Sequence, residues 1–416
     1  MIFFMPVLFI LISNVTKILP EQRIRSNLGS ELHFFPSFSF VFGGIRLFLG
    51  RIVLGMKQVW RDGKYLIAYL LPLAAFAAIF GFGWQPWSVL ILGFVIIPSL
   101  ELLLPFSTYN YPETEEQKRS GRLFFDVLLY LNMPLLYIIL FLFLNRITTV
   151  DLAWHEILGM IFSVGVCLGV MGINVAHELG HRKKPVERIL AKMLLLPNNY
   201  MHFIIEHNRG HHKNVSTPLD PASARLNEII YFFYFRTIIM SYRSAWELEK
   251  MRLERAGESV WSWKNEMIRF AFFQVFFALG VFVVFGGKGL LGYLAVSLMG
   301  VLLLETVNYV EHYGLRRREV APGMYEKVKP VHSWNSDHEV GRIFLYELTR
   351  HSDHHYKDQR KYQVLRHFDE SPQLPTGYPG CMLMALIPPL WFAVMNKRVQ
   401  GINRAEDALN SMPEIG

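Results

Sequence analysis

The sequence predicts an all-α integral membrane protein, with six transmembrane helices in three hairpins and a cytoplasmic histidine-rich cap. Three observations carry that expectation. Of 416 residues, 52% are hydrophobic and 18% are charged, against about 25% charged in a soluble domain. Six stretches are apolar over the length that a hydrocarbon core about 30 Å thick demands, about 20 helical residues. Nine of the 15 histidines fall in four tight groups outside those stretches or at their ends.

The six stretches are residues 65–82, 87–105, 123–144, 157–176, 267–285 and 290–307. Residues 83–86 join the first pair without a charge, residues 145–156 join the second with one arginine, and a glycine-rich turn around Lys288 joins the third. The remaining connections are basic. Arg61 and Lys64 precede the first stretch, Lys118, Arg119 and Arg122 follow the second, Arg182, Lys183 and Lys184 follow the fourth, and Arg316, Arg317 and Arg318 follow the sixth. Lys and Arg gather on the cytoplasmic side. Both ends of the membrane body, and the regions 177–266 and 308–416, are therefore expected in the cytoplasm, as in a multi-pass protein of the cell inner membrane. The net charge of +8 is read as topology. No aromatic-plus-basic module accompanies it, so nucleic acid is not an expected partner.

Two shorter apolar runs do not span. Residues 229–240 are read as a surface or re-entrant helix. Residues 381–394 are similar, interrupted by Pro388 and Pro389. Near the N-terminus, the run 1–13 is too short to span and lacks a basic leader region. The run 34–56 is broken by Arg46 and Arg51, which suits an interfacial helix. The expected organisation is an N-terminal extension (1–60), a membrane domain (61–400) and a C-terminal tail (401–416).

Cys167 and Cys381 are the two cysteines. They exclude a disulfide framework, a cysteine-ligated zinc ribbon and a fused iron–sulfur or rubredoxin module, which needs about four Cys per metal centre.

The histidine groups are HELGH (His177, His181), EHNRGHH (His207, His211, His212), NYVEHYG (His312) and RHSDHH (His351, His354, His355). Neutral imidazole ligates iron, copper, nickel and zinc, and spacings of three or four residues put two rings on one helix face. Nine ligands exceed what one ion takes, so two ions are expected. His177 follows the fourth stretch and His312 lies a turn beyond the sixth, at the same depth near the cytoplasmic boundary, where an apolar substrate can arrive from lipid. His33, His155 and His202 read as structural or surface residues. His332, His338 and His367 are open between ligand support and plain surface.

HELGH also fits the zinc-protease pattern, with Glu178 as general base, but that reading leaves six clustered histidines without a role. Glu178, Glu206, Glu311 and Asp353 flank the groups, and Asp220 follows the second in TPLDPAS. Metal-bound imidazoles usually donate their other N–H to a carboxylate or carbonyl, so these five are expected behind the rings. Glu101 and Glu305 lie in or near spans, where an ionisable group is a functional candidate. Glu305 is placed to face the metal site.

In this order and spacing, the residues resemble the integral membrane alkane 1-monooxygenases of the membrane fatty-acid desaturase and hydroxylase superfamily. STPLDPASAR, HSWNSDH, RKYQVLR, LPTGYPG and PPLWFAVM match as well, over roughly residues 60–400. NYVEHYGL discriminates most, because ordinary desaturases rely on three histidine boxes. The resemblance implies two non-haem irons held by the nine clustered histidines, with their division between the irons open. It also implies O2 as co-substrate, electrons from rubredoxin and its NADH-dependent reductase, and hydroxylation of the terminal carbon of medium- or long-chain alkanes. A fatty-acyl desaturase or hydroxylase, or a xylene-type methyl hydroxylase, is the alternative within the superfamily. Arg182 stands where lysine is usual, and Leu348-Thr349-Arg350 where Leu-Gln-Arg is usual; neither removes a ligand. The basic clusters Arg316–Arg318 and Arg360–Lys361 are candidates for docking an acidic electron carrier.

Overall fold

The computed structural model describes residues 61–411. The chain divides into two units, 1–63 and 64–416, and the architecture below is that of the second. The expectations for 1–60 lie outside the described residues.

Five helices among the described residues are long and apolar enough to cross a membrane: Arg61–Phe80, Gln85–Leu103, Leu123–Thr149, Trp154–Gly180 and Glu266–His312. The last has 47 residues and if straight would reach about 70 Å, more than twice a bilayer core. It is not straight. Gly286 takes φ 66° and ψ −170°, a backbone conformation that glycine reaches without steric cost. The rings of Phe277 and Tyr293 stand 5.4 Å apart, where an unbroken helix would separate them by about 24 Å. The helix therefore folds back into two arms, and these arms correspond to the stretches 267–285 and 290–307 read from the sequence.

The second arm packs on Trp154–Gly180 through small residues. A Cβ added at Gly165 would come within 2.3 Å of Met299 Cβ, and one at Gly169 within 2.5 Å of Leu303, so the close approach needs glycine at both positions. Val164, Cys167, Leu168, Tyr293 and Val296 fill the resulting core. The second helix is pinned to the fourth at its first turn. There Ser163 Oγ donates to the Pro86 carbonyl at 2.6 Å and Trp87 Nε1 to the His155 carbonyl at 3.1 Å.

Three helices widen into π turns, at Leu92–Ile96, Leu168–Asn174 and His207–His211. Such turns are uncommon and concentrate at functional sites because the extra residue re-aims the side chains around it.

The long helix Ile230–Arg255 and the loops after His312 form a cap. A second core of Phe233, Tyr309, Tyr313, Trp334, Tyr378 and Trp391 binds the cap to the end of the second arm. The apolar run 381–394 is two helices, Tyr378–Ala385 and Pro388–Ser411, broken where Pro388 cannot continue the first. The second of these continues past residue 401.

Candidate metal centre

The HELGH segment ends the helix Trp154–Gly180. Its Glu178 does not reach an imidazole. One Glu178 oxygen accepts Arg182 Nη2 at 2.6 Å, Arg182 Nε at 3.0 Å and the Tyr362 amide at 3.2 Å, and Arg182 also pairs with Asp126 at 3.4 Å. An acid beside a buried guanidinium makes a stronger, charge-assisted bond there than it would to a neutral ring. The expectation that Glu178 supports a ring is corrected, and the same geometry leaves no free base for a zinc protease.

The EHNRGHH segment places His207 and His211 on the π turn. His312 is the last residue of the second arm. His351, His354 and His355 share the short helix His351–Tyr356, which follows two non-glycine residues with positive φ, Tyr346 (49°) and Glu347 (59°). That strained turn is held by its side chains. Glu347 accepts Arg342 Nε at 2.6 Å and Tyr65 Oη at 2.5 Å.

These four segments bring the nine histidines together in two groups. One holds His177, His181, His207, His212 and His354; the other holds His211, His312, His351 and His355. Every close approach is between Nε2 atoms. In the first group these are His177–His354 at 2.7 Å, His212–His207 at 3.0 Å, and His207–His181 and His212–His354 at 3.1 Å. In the second they are His355–His351 at 2.9 Å and His351–His312 at 3.1 Å. His211 and His355 meet across the same group at 3.2 Å. Imidazole nitrogens about 2.1 Å from a shared ion stand about 3.0 Å apart at right angles and about 3.4 Å apart in a tetrahedron. The observed spacing is of the order that imidazoles sharing an ion require. Of the other six histidines, His155, His202, His332, His338 and His367 stand outside both groups, and His33 lies outside the described residues.

Burial favours the neutral, ligating form of most of these rings. Burial first, then the charge of neighbouring imidazoles, brings His181 down to about 3 and keeps His207, His212, His351, His354 and His355 well below the usual histidine value. His211 goes the other way: burial lowers it, but the Asp220 carboxylate more than offsets that. Asp220 Oδ2 lies 2.9 Å from His211 Nδ1, which leaves Nε2 free for a metal.

The other carboxylates do other work. Asp353 is taken by Arg360 at 2.7 and 2.9 Å and by the Arg366 amide at 2.7 Å, which corrects its expected place behind a ring. Glu206 faces Ser244 at 3.4 Å, another correction; burial, with the Asp220 charge second, raises it to about 8. Glu305 accepts Tyr200 Oη, Thr237 Oγ1 and Asn308 Nδ2 at 2.9 to 3.1 Å. Glu101 is buried and accepts the Gly341 amide at 3.1 Å, tying the second helix to the cap. Glu311 Oε1 accepts Tyr378 Oη at 2.9 Å, and its Oε2 stands 3.1 Å from His351 Nε2. That is the ligating side of the ring, where the sequence reading had it behind.

Comparison with known proteins bears on what such a centre serves. The fatty acid desaturase family model matches residues 152–383, more than half of the chain. An alkane 1-monooxygenase of Pseudomonas putida is 41% identical over 76% of this chain and 79% of its own length. The alkane 1-monooxygenase 1 of Alcanivorax borkumensis is 40% identical over 76% and 79%. The chain belongs to the alkane 1-monooxygenase family. The hydroxylase component of a Pseudomonas putida xylene/toluene monooxygenase is more distant, at 29% identity over 79% of this chain and 87% of its own length.

In this member of the family, an apolar cavity of about 90 Å³ lies between the helices, and His177, His207 and His351 form part of its lining. Its walls come from Gly93, Phe94, Val170, Leu303, Val307 and neighbours. Both π turns in the membrane helices border it. Asn174, Asn308 and Glu311 are polar side chains that meet it beside the rings. The sequence pattern did not single out the walls. They are glycine, aliphatic and phenylalanine residues that look like ordinary helix packing, and the change of winding that turns them inward leaves no mark in the residue pattern. Tyr378, which aims Glu311, could have been noticed in LPTGYPG.

Proposed function

We propose that this membrane alkane hydroxylase carries two irons, one on each histidine group, and hydroxylates the terminal carbon of medium- or long-chain alkanes with O2 and electrons from rubredoxin. The observation that carries this is that both imidazole groups contribute rings to the lining of one apolar cavity. A five-imidazole group exceeds the four-coordinate closed sites typical of zinc, and imidazole with open positions suits iron. Bound iron would supply the oxygen-activating redox chemistry that an unactivated C–H bond requires and that no side chain offers.

The chain's own residues do the rest. Apolar walls bind the alkyl chain by burial, about 0.8 kcal/mol per methylene, and exclude water. Entering lengthwise, an alkane presents its end to the rings, which supports terminal selectivity. Asp220 fixes the tautomer of His211, and Tyr378 fixes Glu311 at the mouth of the second group.

The two arms around Gly286 support six crossings. The basic connections support a cytoplasmic site in the inner membrane. Arg360 and Lys361 are bound to Asp353 and Asp126 at 2.7 and 3.1 Å, so they brace the site. A carrier would approach over the exposed Tyr356 and Lys357, next to buried His355.

The test is product analysis with octane, hexadecane, xylene and an acyl chain, using rubredoxin, its reductase, NADH and O2. A 1-alkanol is the expected product. An olefin would move the chain to desaturase chemistry. A benzylic alcohol without alkanol would favour the xylene-type reading, which the 29% identical relative keeps open.

A further inference from the structure

The helix Ile230–Arg255 changes character along one side. Its first three turns expose Phe232 (70%), Phe235 (73%) and Ile239 (50%). Further along the same side stand exposed Glu247 and Glu254. Left in water, the apolar half would hold three large side chains in an environment costing about 1.5–3 kcal/mol each relative to burial.

The opposite side fixes the depth of those turns. Phe233 packs on Tyr309 with ring centres 5.4 Å apart, Tyr234 Oη meets Thr306 Oγ1 at 2.6 Å, and Thr237 Oγ1 donates to Glu305 at 3.0 Å. They therefore lie level with the last turns of a helix whose apolar length suits a bilayer. The apolar surface also continues sideways. Tyr231 Oη donates to the Leu386 carbonyl at 2.8 Å, and Leu386, Ile387 and Leu390 are exposed there.

We infer that this helix cuts the membrane surface obliquely: residues 230–242 lie among the acyl chains of the leaflet next to the metal centre, and residues 243–255 stand in water. The partner of the exposed stripe is lipid. Membrane association of this helix does not depend on the identity of the metal. It also gives the immersed turns a role, because their inner side holds Glu305.

Cys167 and Cys381 are both buried, so single surface cysteines can be labelled in the otherwise native chain. The test is bimane fluorescence of Phe235→Cys, Ile239→Cys, Glu247→Cys and Glu254→Cys in proteoliposomes, quenched by phospholipids brominated on the acyl chain or by aqueous iodide. The first two should be quenched severalfold by bromolipid and little by iodide, and the last two the reverse. Iodide quenching at Phe235→Cys equal to that at Glu247→Cys would overturn the inference. Shielding of Phe235→Cys from both quenchers would also overturn it, as the mark of a second copy covering the stripe. Unsubstituted protein treated with an acyl-chain photoprobe gives an independent reading, with adducts expected within 232–239; none there would overturn the inference as well.

Discussion

Glu311 Oε2 lies 3.1 Å from Nε2 of His351, on the side of the ring that faces the histidine group and the cavity. Tyr378 holds the other oxygen at 2.9 Å. Glu311 is therefore a carboxylate on the Nε2 face of the four-histidine group. Glu311→Gln keeps the shape and removes the charge. It is expected to lower alkane turnover by about 10–100-fold, in the range found when groups tuning a metal site are changed. Tyr378→Phe, which frees the carboxylate, should have the smaller effect of the two. Turnover of both variants at matched metal content checks this, and an unchanged Glu311→Gln would remove the residue from the site.

Asp220 is the counterpart behind the ring. Asp220→Asn leaves the contact to His211 Nδ1 but takes away the charge that sets its tautomer. Metal affinity should fall about 10–100-fold, with one metal lost before the other as chelator is titrated. Simultaneous loss of both metals, or no loss, would contradict a role confined to the second group.

The cavity makes a statement about chain length. Gly93 borders it, and a Cβ built there meets nothing within 4 Å. A large side chain is therefore accommodated at the expense of substrate space. Denying two methylenes their burial costs about 1.6 kcal/mol, or more than tenfold in selectivity. Gly93→Trp should retain octane oxidation and lose hexadecane oxidation by at least that factor. Equal loss on both substrates would mean that Gly93 does not border the alkyl path.

The turn before the fourth histidine group has a pH signature. Burial alone would raise Glu347, but Arg342, then Lys64 and Arg350, bring it down to about 2. A folded value below the unfolded one, about 4.3, gives stability that is present above pH 4.3. That stability is lost as the pH falls toward 2. Glu347→Gln leaves buried Arg342 without its partner and should cost about 3–5 kcal/mol near neutral pH. Its melting temperature should also depend less on pH than the wild type's below pH 5. Parallel curves for the two proteins would show that the pair adds nothing.

Much of this was legible in the sequence, and the reasons differ by residue. The nine histidines declared themselves because imidazoles in clusters have no ordinary packing role. The fold-back at Gly286 was legible because apolar length has a ceiling in a bilayer. The fate of the carboxylates was not. Glu178, Glu206 and Asp353 lie next to clustered histidines in the chain, but side chains adjacent in a helix point to different faces. Arg182, Ser244 and Arg360 claim them instead. The division into five and four was also hidden. His354 and His355 are neighbours that serve different groups, and His211 and His212 do the same.

The division itself is open to direct measurement: iron and zinc per chain, by elemental analysis of protein purified from membranes, for the wild type, His212→Ala and His355→Ala. About two irons per wild-type chain, falling toward one in each variant, is the expected result for two independent ligand groups. A wild type holding a single ion per chain, or zinc in place of iron, would contradict it.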